Sequence, residues 1–388
     1  MTRNLNMYIR LRQILLILIL INPFILVASE GEKEEEGFNL VDFALHHIAD
    51  SYSWDFYHKK DGTAVGIKLP RILVDLKNIN VKFYLSTQKA LENGCEFEHE
   101  FNHNASHGTL LFPNTGPRYL ELKKAIEEKS TISQPDKIQQ KEIKSLKRQL
   151  RMLKPLDFSI TKNVLFMLFA GILLLWVFIS IANKYKRNPN VAPSGLQSAL
   201  EPIIVFVRDD IAKTYIPHKY ERFLPLLLNF FFFIWFLNMM GLVPFSGNVT
   251  GNIAVTASLA LITFFATNIN GKKNYWQHIF WYPGVPIPVK FILLVVEFVS
   301  IFTKPFALAI RLFANITAGH LVILAFISLI FMFGKSGEAL WAGVGTSFLS
   351  VGFALFIDMI EILIALLQAY IFTTLSALFI GQAVETEH

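Results

Sequence analysis

Pro305-Phe306-Ala307-Leu308-Ala309-Ile310-Arg311-Leu312-Phe313-Ala314-Asn315 decides the fold. It lies inside an apolar run over residues 291–333, with Arg311 near the middle. A guanidinium keeps its proton in any protein environment, so this charge is permanent. At membrane depth it costs at least about 2.5–3.5 kcal/mol to insert, and such a residue normally faces a polar cavity or a charged partner and marks an ion path. The other reading is a structural salt bridge between two helices.

The run is too long for one perpendicular crossing of roughly 20 residues. It must therefore be strongly tilted, broken or partly interfacial. Residues 342–381 are similarly overlong, and three shorter apolar runs precede, at 163–182, 223–245 and 252–269. Residues 196–211 read as an amphipathic helix lying on the membrane surface. The fold class is thus an α-helical multi-span membrane protein of about five crossings, with a long, tilted C-terminal helix hairpin and a small N-terminal extramembrane α+β domain.

Composition agrees. The chain is 53% hydrophobic with a mean hydropathy of +0.43, and its charged residues, only 17% of the total, lie mostly before residue 160. That is a polar N-terminal part and a membrane part, not two or three globular domains. The net charge of +6 calls for no nucleic-acid partner, because membrane proteins carry excess Lys and Arg in their cytoplasmic loops. The single Cys95 excludes an intrachain disulfide and any multi-cysteine metal cluster.

Residues 1–29 read as a secretory signal: Arg3, Arg10 and Arg12 precede an apolar stretch and the small residues Val27-Ala28-Ser29. A cleaved signal is favoured over an uncleaved anchor. Residues 30–155 form an exported domain, and residues 156–388 form the membrane domain, ending in the hairpin 290–384. The spacing predicts a helix over 39–54, strands over 65–69, 72–76, 81–85 and 110–112, and a basic helix over 137–154. His99, His103 and His107, with His46 and His47 upstream, suggest a metal site by their four-residue spacing. The surrounding Asn102, Asn104, Ser106 and Gly108 favour solvated loop histidines instead. No metal and no cofactor is expected.

The basic loops after the first and third runs and before the second fall on one side, which should be cytoplasmic. Five crossings then place the exported domain outside and residues 384–388 inside. The basic segment Lys141, Lys144, Lys147, Arg148, Arg151 and Lys154 runs against this assignment; the signal and the later loops decide it.

Both long C-terminal runs carry ionisable or polar residues at intervals. The first has Glu297, Lys304, Arg311, Asn315 and His320; the second has Asp358, Glu361 and Gln368. In an antiparallel hairpin turning over residues 334–343, one register sets Arg311 level with Gln368 and His320 level with Glu361. These levels stand roughly 10–14 Å apart at 1.5 Å per residue. Glu361, Ala365 and Gln368 share a helix face, and Glu297 falls about four turns before Arg311. A His–carboxylate pair suits proton passage. A fixed cation between two titratable levels suits two half-paths that meet at an external carboxylate. Ala307, Ala309, Ala314, Ala318 and Gly319 would admit another helix closely, or serve ordinary packing.

Arg311-Leu312-Phe313-Ala314-Asn315 with Ala318-Gly319-His320 resembles the signature of subunit a of F-type ATP synthases. Gln368-Ala369-Tyr370-Ile371-Phe372 resembles that family's second C-terminal motif. Asn238-Met239-Met240-Gly241-Leu242-Val243-Pro244 and Gly251-Asn252-Ile253-Ala254-Val255-Thr256 are similar to it as well. The resemblance covers about residues 160–384. It implies a non-catalytic stator subunit of the membrane Fo sector, coupling proton flow to rotation and ATP synthesis. Arg311 would face the c-ring, pair with the c-subunit carboxylate once its proton has left, and block a leak. Asn315 and Gln368 would support it. His320 and Glu361 would belong to the outer half-channel and Glu297 to the cytoplasmic one. Many bacterial members carry the carboxylate on the first helix and the histidine on the second; here the types are exchanged, as in mitochondrial members. The implied partners are the c-ring, the b subunits of the peripheral stalk, the rest of the synthase and the lipid bilayer, in a bacterial inner membrane. The long exported region departs from short members, and contact with the stalk or the channel rim is its expected role.

Two other classes fit parts of the chain. A secondary transporter predicts internal repeats and broken helices meeting at the midplane, and no repeat is evident. An intramembrane hydrolase built on His320, Glu361 and Asp358 would place a permanent cation where a metal would sit. The chain carries no GxxxxGK[ST] and no HExxH, so nucleotide chemistry belongs to partner subunits. The His320–Glu361 pair leans the transported ion toward H⁺.

Overall fold

The computed structural model describes residues 50–58, 64–75, 80–97, 110–111, 121–126, 137–153, 156–187, 192–243, 246–281, 285–334 and 339–385. The leader, the five N-terminal histidines named above and most of the predicted 39–54 helix lie outside these residues. The chain divides into two units, one built mainly from residues 51–162 and the other from residues 163–388.

The first unit is α+β. Strands β1 (Ser53–His58) and β2 (Ala64–Lys68) pair antiparallel, with an irregularity between Asp55 and Tyr57. The end of the predicted 39–54 helix is thus strand, because Ser53 and Trp54 pair with Lys68 and Ile67. Strands β3 (Arg71–Asp75) and β4 (Asn80–Tyr84) pair antiparallel, and β7 (Leu156–Asp157) adds to the other side of β3. Strands β5 (Glu96–Phe97) and β6 (Leu110–Leu111) form a short ladder. Helix α1 (Thr87–Glu92) starts at Ser86, whose Oγ accepts from the Lys89 amide at 3.1 Å. Leu73, Ala90, Cys95 and Leu110 form the small core. Helix α2 (Lys137–Leu153) is the basic helix expected from the sequence.

One charge is fully buried here. The Arg71 guanidinium stacks on the Tyr52 ring, 3.1 Å from its centroid. It donates to Asp157 Oδ2 at 3.2 Å and to Thr87 Oγ1 at 3.0 Å. Tyr52 donates to the same carboxylate at 2.8 Å. Burial, with the Asp157 carboxylate beside it, pushes the Tyr52 phenol up to about 12.

The second unit is helical. Five of its helices are long and apolar enough to cross a membrane. They are α3 (Lys162–Arg187), α5 (Tyr220–Gly241), α6 (Ile253–Asn270), α8 (Ile287–Phe333) and α9 (Leu340–Val384). Helix α3 ends in Lys184, Lys186 and Arg187, which suit a helix C-terminus. Helix α6 is capped by Asn252, whose Oδ1 accepts from the Ala254 amide at 2.9 Å. Helix α8 is unbroken over 47 residues despite Pro305. At 1.5 Å per residue it is about 70 Å long against a hydrocarbon core of about 30 Å. Of the expected ways to accommodate that length, breakage is therefore out.

Helix α4 (Leu196–Phe206) continues through a π-helical stretch, Val207–Ala212, to Tyr215. Its apolar residues Val207, Ile211 and Ala212 are buried in the bundle core, whereas Pro202, Phe206 and Asp210 are exposed. Helix α7 (Lys273–Phe280) is a short link before α8.

Phenylalanine builds the core. Phe230, Phe231 and Phe232 of α5 pack with Leu308 and Leu312 of α8 and Ala369 and Phe372 of α9. Phe230 meets Phe372 edge to face at 5.3 Å. Leu175, Trp176 and Ile179 of α3 are exposed, as lipid-facing side chains of a spanning helix are.

Candidate functional site

The two long helices run antiparallel. Gly334 and Gly343 meet at the turn, where a Cβ on Gly343 would lie 3.3 Å from Gly334 Cα. Farther along, Phe326 stacks on Phe353 at 5.3 Å. Next, Gly319 faces Glu361. Near the far end, Lys304 Nζ reaches Gln382 Oε1 at 3.4 Å. These contacts put the His320 and Glu361 levels together, as the expected register requires.

Glu361 is 4% exposed, and neither carboxylate oxygen takes a hydrogen bond from the described residues. A Cβ built on Gly319 would overlap its Oε1, so the absence of a side chain at 319 is what admits the carboxylate between the helices. His320 is half-buried. Its Nε2 lies 3.9 Å from where a Gly241 Cβ would stand, as does Asn248 Oδ1. The end of α5 and the 246–251 loop therefore close this level. Asn238 Nδ2 donates to the Ala365 carbonyl on α9 at 3.3 Å. Asn238 Oδ1, Asn248 Nδ2, Thr250 Oγ1 and Thr317 Oγ1 are buried without a hydrogen-bond partner. Buried polar atoms are nearly always satisfied in folded proteins, so this cluster is a candidate site.

Arg311 lies elsewhere on α8. It is exposed, as are Ala307, Ala314, Asn315 and Ala318; 307, 311, 314 and 318 share one helix face. Among the described residues no carboxylate lies within ion-pair distance of Arg311. The structural salt-bridge reading therefore has no partner group here. Gln368 is 4% exposed and sits on the buried α9 face with Glu361 and Ala365.

Glu297 is half-buried near the opposite end of α8. Burial of Tyr275 on α7, together with the nearby Glu297 charge, holds that phenol above its ordinary range. Tyr275 donates to Asn268 Oδ1 at 3.3 Å. A cleft beside it is lined by Thr267, Asn268, Tyr275, Lys304, Pro305 and Gln382.

The spacing of charges within the hairpin pointed to Arg311, His320, Glu361 and Glu297. It missed Asn248, Thr317, Thr250 and Tyr275, which carry no periodic signal. Asn238 and Gly241 were legible only through the resemblance.

The helices and their polar levels define a multi-pass membrane protein with an ionisable hairpin. A family model described as the ATP synthase A chain matches residues 164–381, and one described as a domain of unknown function matches residues 43–157. ATP synthase subunit a of Chloroherpeton thalassium is 47% identical over 238 residues, 60% of this chain and 68% of that one. Subunit a of Chlorobium phaeobacteroides is 45% identical over 231 residues, covering 58% and 66%. Subunit a 2 of Prosthecochloris aestuarii is 44% identical over 237 residues, covering 60% and 70%. The matched part thus spans about two thirds of each relative's length. The chain belongs to the ATP synthase A chain family.

Proposed function

We propose that this chain is the non-catalytic stator subunit of the membrane Fo sector of a bacterial F-type ATP synthase, carrying protons to and from a rotating c-ring. Family membership supports the role. The observation that carries the mechanism is Arg311: a permanent cation on an exposed face of small residues, without an ionic partner among the described residues. Such a charge needs a counter-charge from outside the chain. The c-subunit carboxylate, once deprotonated, supplies it. Ala307, Ala314 and Ala318 let the ring helix approach.

His320 and Glu361 serve the half-path at the turn end of the hairpin, which faces outside. Glu297 serves the half-path at the other end, which faces the cytoplasm. Asn315 and Gln368 support Arg311 in this role. Arg311 separates the half-paths, so a proton crosses only by riding the ring. The leader over residues 1–29 exports the domain of residues 30–155, which meets the peripheral stalk or the channel rim. The b subunits of that stalk hold this chain still while the ring turns.

Cysteine at Ala314 or Ala318, paired with cysteine on the outward face of the c subunit, tests the reading in intact membranes. Cross-linking from these positions, with none from the lipid-exposed Ile172 of α3, is the expected result. Cross-linking from Ile172 alone contradicts it.

A further inference from the structure

Among the described residues of the hairpin there is a third carboxyl group, beside Glu297 and Glu361, with no role assigned so far. Asp358 is half-buried on α9, one turn from Glu361 toward the hairpin turn. Ser350, Ala354, Asp358, Glu361, Ala365 and Gln368 form one stripe of that helix. Ser350 is 2% exposed and its Oγ has no hydrogen-bond partner. Glu361 is likewise buried with both oxygens unpartnered. Asp358 therefore stands between two buried polar groups, on the side of Glu361 nearer the turn. No ion pair to it occurs among the described residues. An ionisable residue at such depth costs free energy, and one retained there marks a path by default.

We propose that Asp358 is a proton-relay residue of the turn-end half-path, linking Glu361 to the aqueous side. This rests on the assignment of Glu361 to that half-path. Moving outward, the O–H bond of protonated Glu361 breaks and an O–H bond forms on the Asp358 carboxylate. Asp358 then releases that proton to water and returns to carboxylate; in the inward direction the same bonds form and break in reverse. Each transfer moves one proton and leaves total charge unchanged. The rise between the two residues is about 4.5 Å along the helix, within reach of two flexible carboxyl side chains. Among the described residues, the other titratable and charged groups toward this level are His320 on α8 and, farther in, Arg311; α5 brings the amide Asn238.

ATP-driven acidification of inverted membrane vesicles tests this in the intact synthase, with Asp358→Asn, Asp358→Glu and Glu361→Gln beside the wild type and assembly checked by co-purification. General acid–base groups contribute on the order of a hundredfold or more, so Asp358→Asn is expected to slow pumping by at least about tenfold. Asp358→Glu recovers most of the rate. The wild type slows as the lumen acidifies and Asp358 stays protonated; Asp358→Asn loses that dependence. If Asn blocks assembly, Asp358→Ser carries the same test. Wild-type rate and pH profile in Asp358→Asn, with Glu361→Gln inactive, overturn the relay and leave the half-path standing. Wild-type pumping in Glu361→Gln overturns both.

Discussion

Gly319 illustrates how one missing side chain makes room for another. Its Cα faces the Glu361 carboxylate so closely that a methyl group would occupy the same space. Gly319→Ala must push the carboxylate aside. Such overpacking costs about 1–3 kcal/mol, little enough for the bundle to assemble. Coupled proton pumping is therefore expected to fall at least about tenfold in complexes that still co-purify whole, and unchanged pumping would show that Glu361 needs no fixed position. Arg71 makes the opposite case, a charge whose partners are all in place. Arg71→Met leaves Asp157 and the Tyr52 hydroxyl without their cation, and breaking a buried pair in this way costs about 3–5 kcal/mol. Limited proteolysis of the first unit in the intact complex should accelerate strongly. Arg71→Lys should rescue poorly, since an ammonium cannot both stack on Tyr52 and reach Thr87 and Asp157.

At the scale of elements, the hairpin register is the claim most open to test. Cysteines at Phe326 and Phe353, whose rings stack at 5.3 Å, should form a disulfide in oxidised membranes; Phe326 with Ser350→Cys, a turn out of register, should not. Failure of the first pair with success of the second would mean that His320 and Glu361 are not level. Much of this hairpin was legible in the sequence. Apolar runs near twice a normal span announce two long helices, and spaced charges reveal their shared levels. The limits were equally physical. Ser53 and Trp54 have apolar neighbours at helical spacing, but β2 pairing overrides that local pattern. The π turn over Val207–Ala212 leaves no signature in the sequence, and the burial of Val207, Ile211 and Ala212 shows only in the packed bundle. Asn248 and Thr317 are isolated polar residues, whose burial only the packed helices reveal.

The far end of α9 supplies a pH prediction. The Glu385 carboxylate is partly buried, which favours its neutral form. Hydrogen bonds from the His218 ring at 2.8 Å and the His218 amide at 3.1 Å, with Lys272 nearby, outweigh this and hold its pKa below the ordinary 4.5. A depressed carboxyl adds stability that is complete above its unfolded pKa and is lost as pH falls through the folded value. Hydrogen-exchange protection of the His218 amide should thus be full near neutrality and disappear at acid pH, below 4.5. Glu385→Gln should remove the acid transition; an unchanged profile would mean that the latch does not depend on this charge.

For the molecule as a whole, charge placement sets the work of each part. The first unit carries most of the ionised residues, and its fully buried Arg71 is matched locally by Asp157. The second unit keeps few charges at membrane depth and leaves Arg311 exposed at the middle of its longest helix. A protein that finished its own electrostatics would have paired this residue internally. In the proposed assembly, its exposed position gives it a place against a moving, oppositely charged partner. The deciding measurement is ATP-driven acidification of inverted membrane vesicles carrying Arg311→Ala, beside the wild type, with assembly confirmed by co-purification of the c-ring. Loss of pumping in an assembled complex is the predicted result; coupled pumping near the wild-type rate would contradict the assignment of Arg311 as the stator charge.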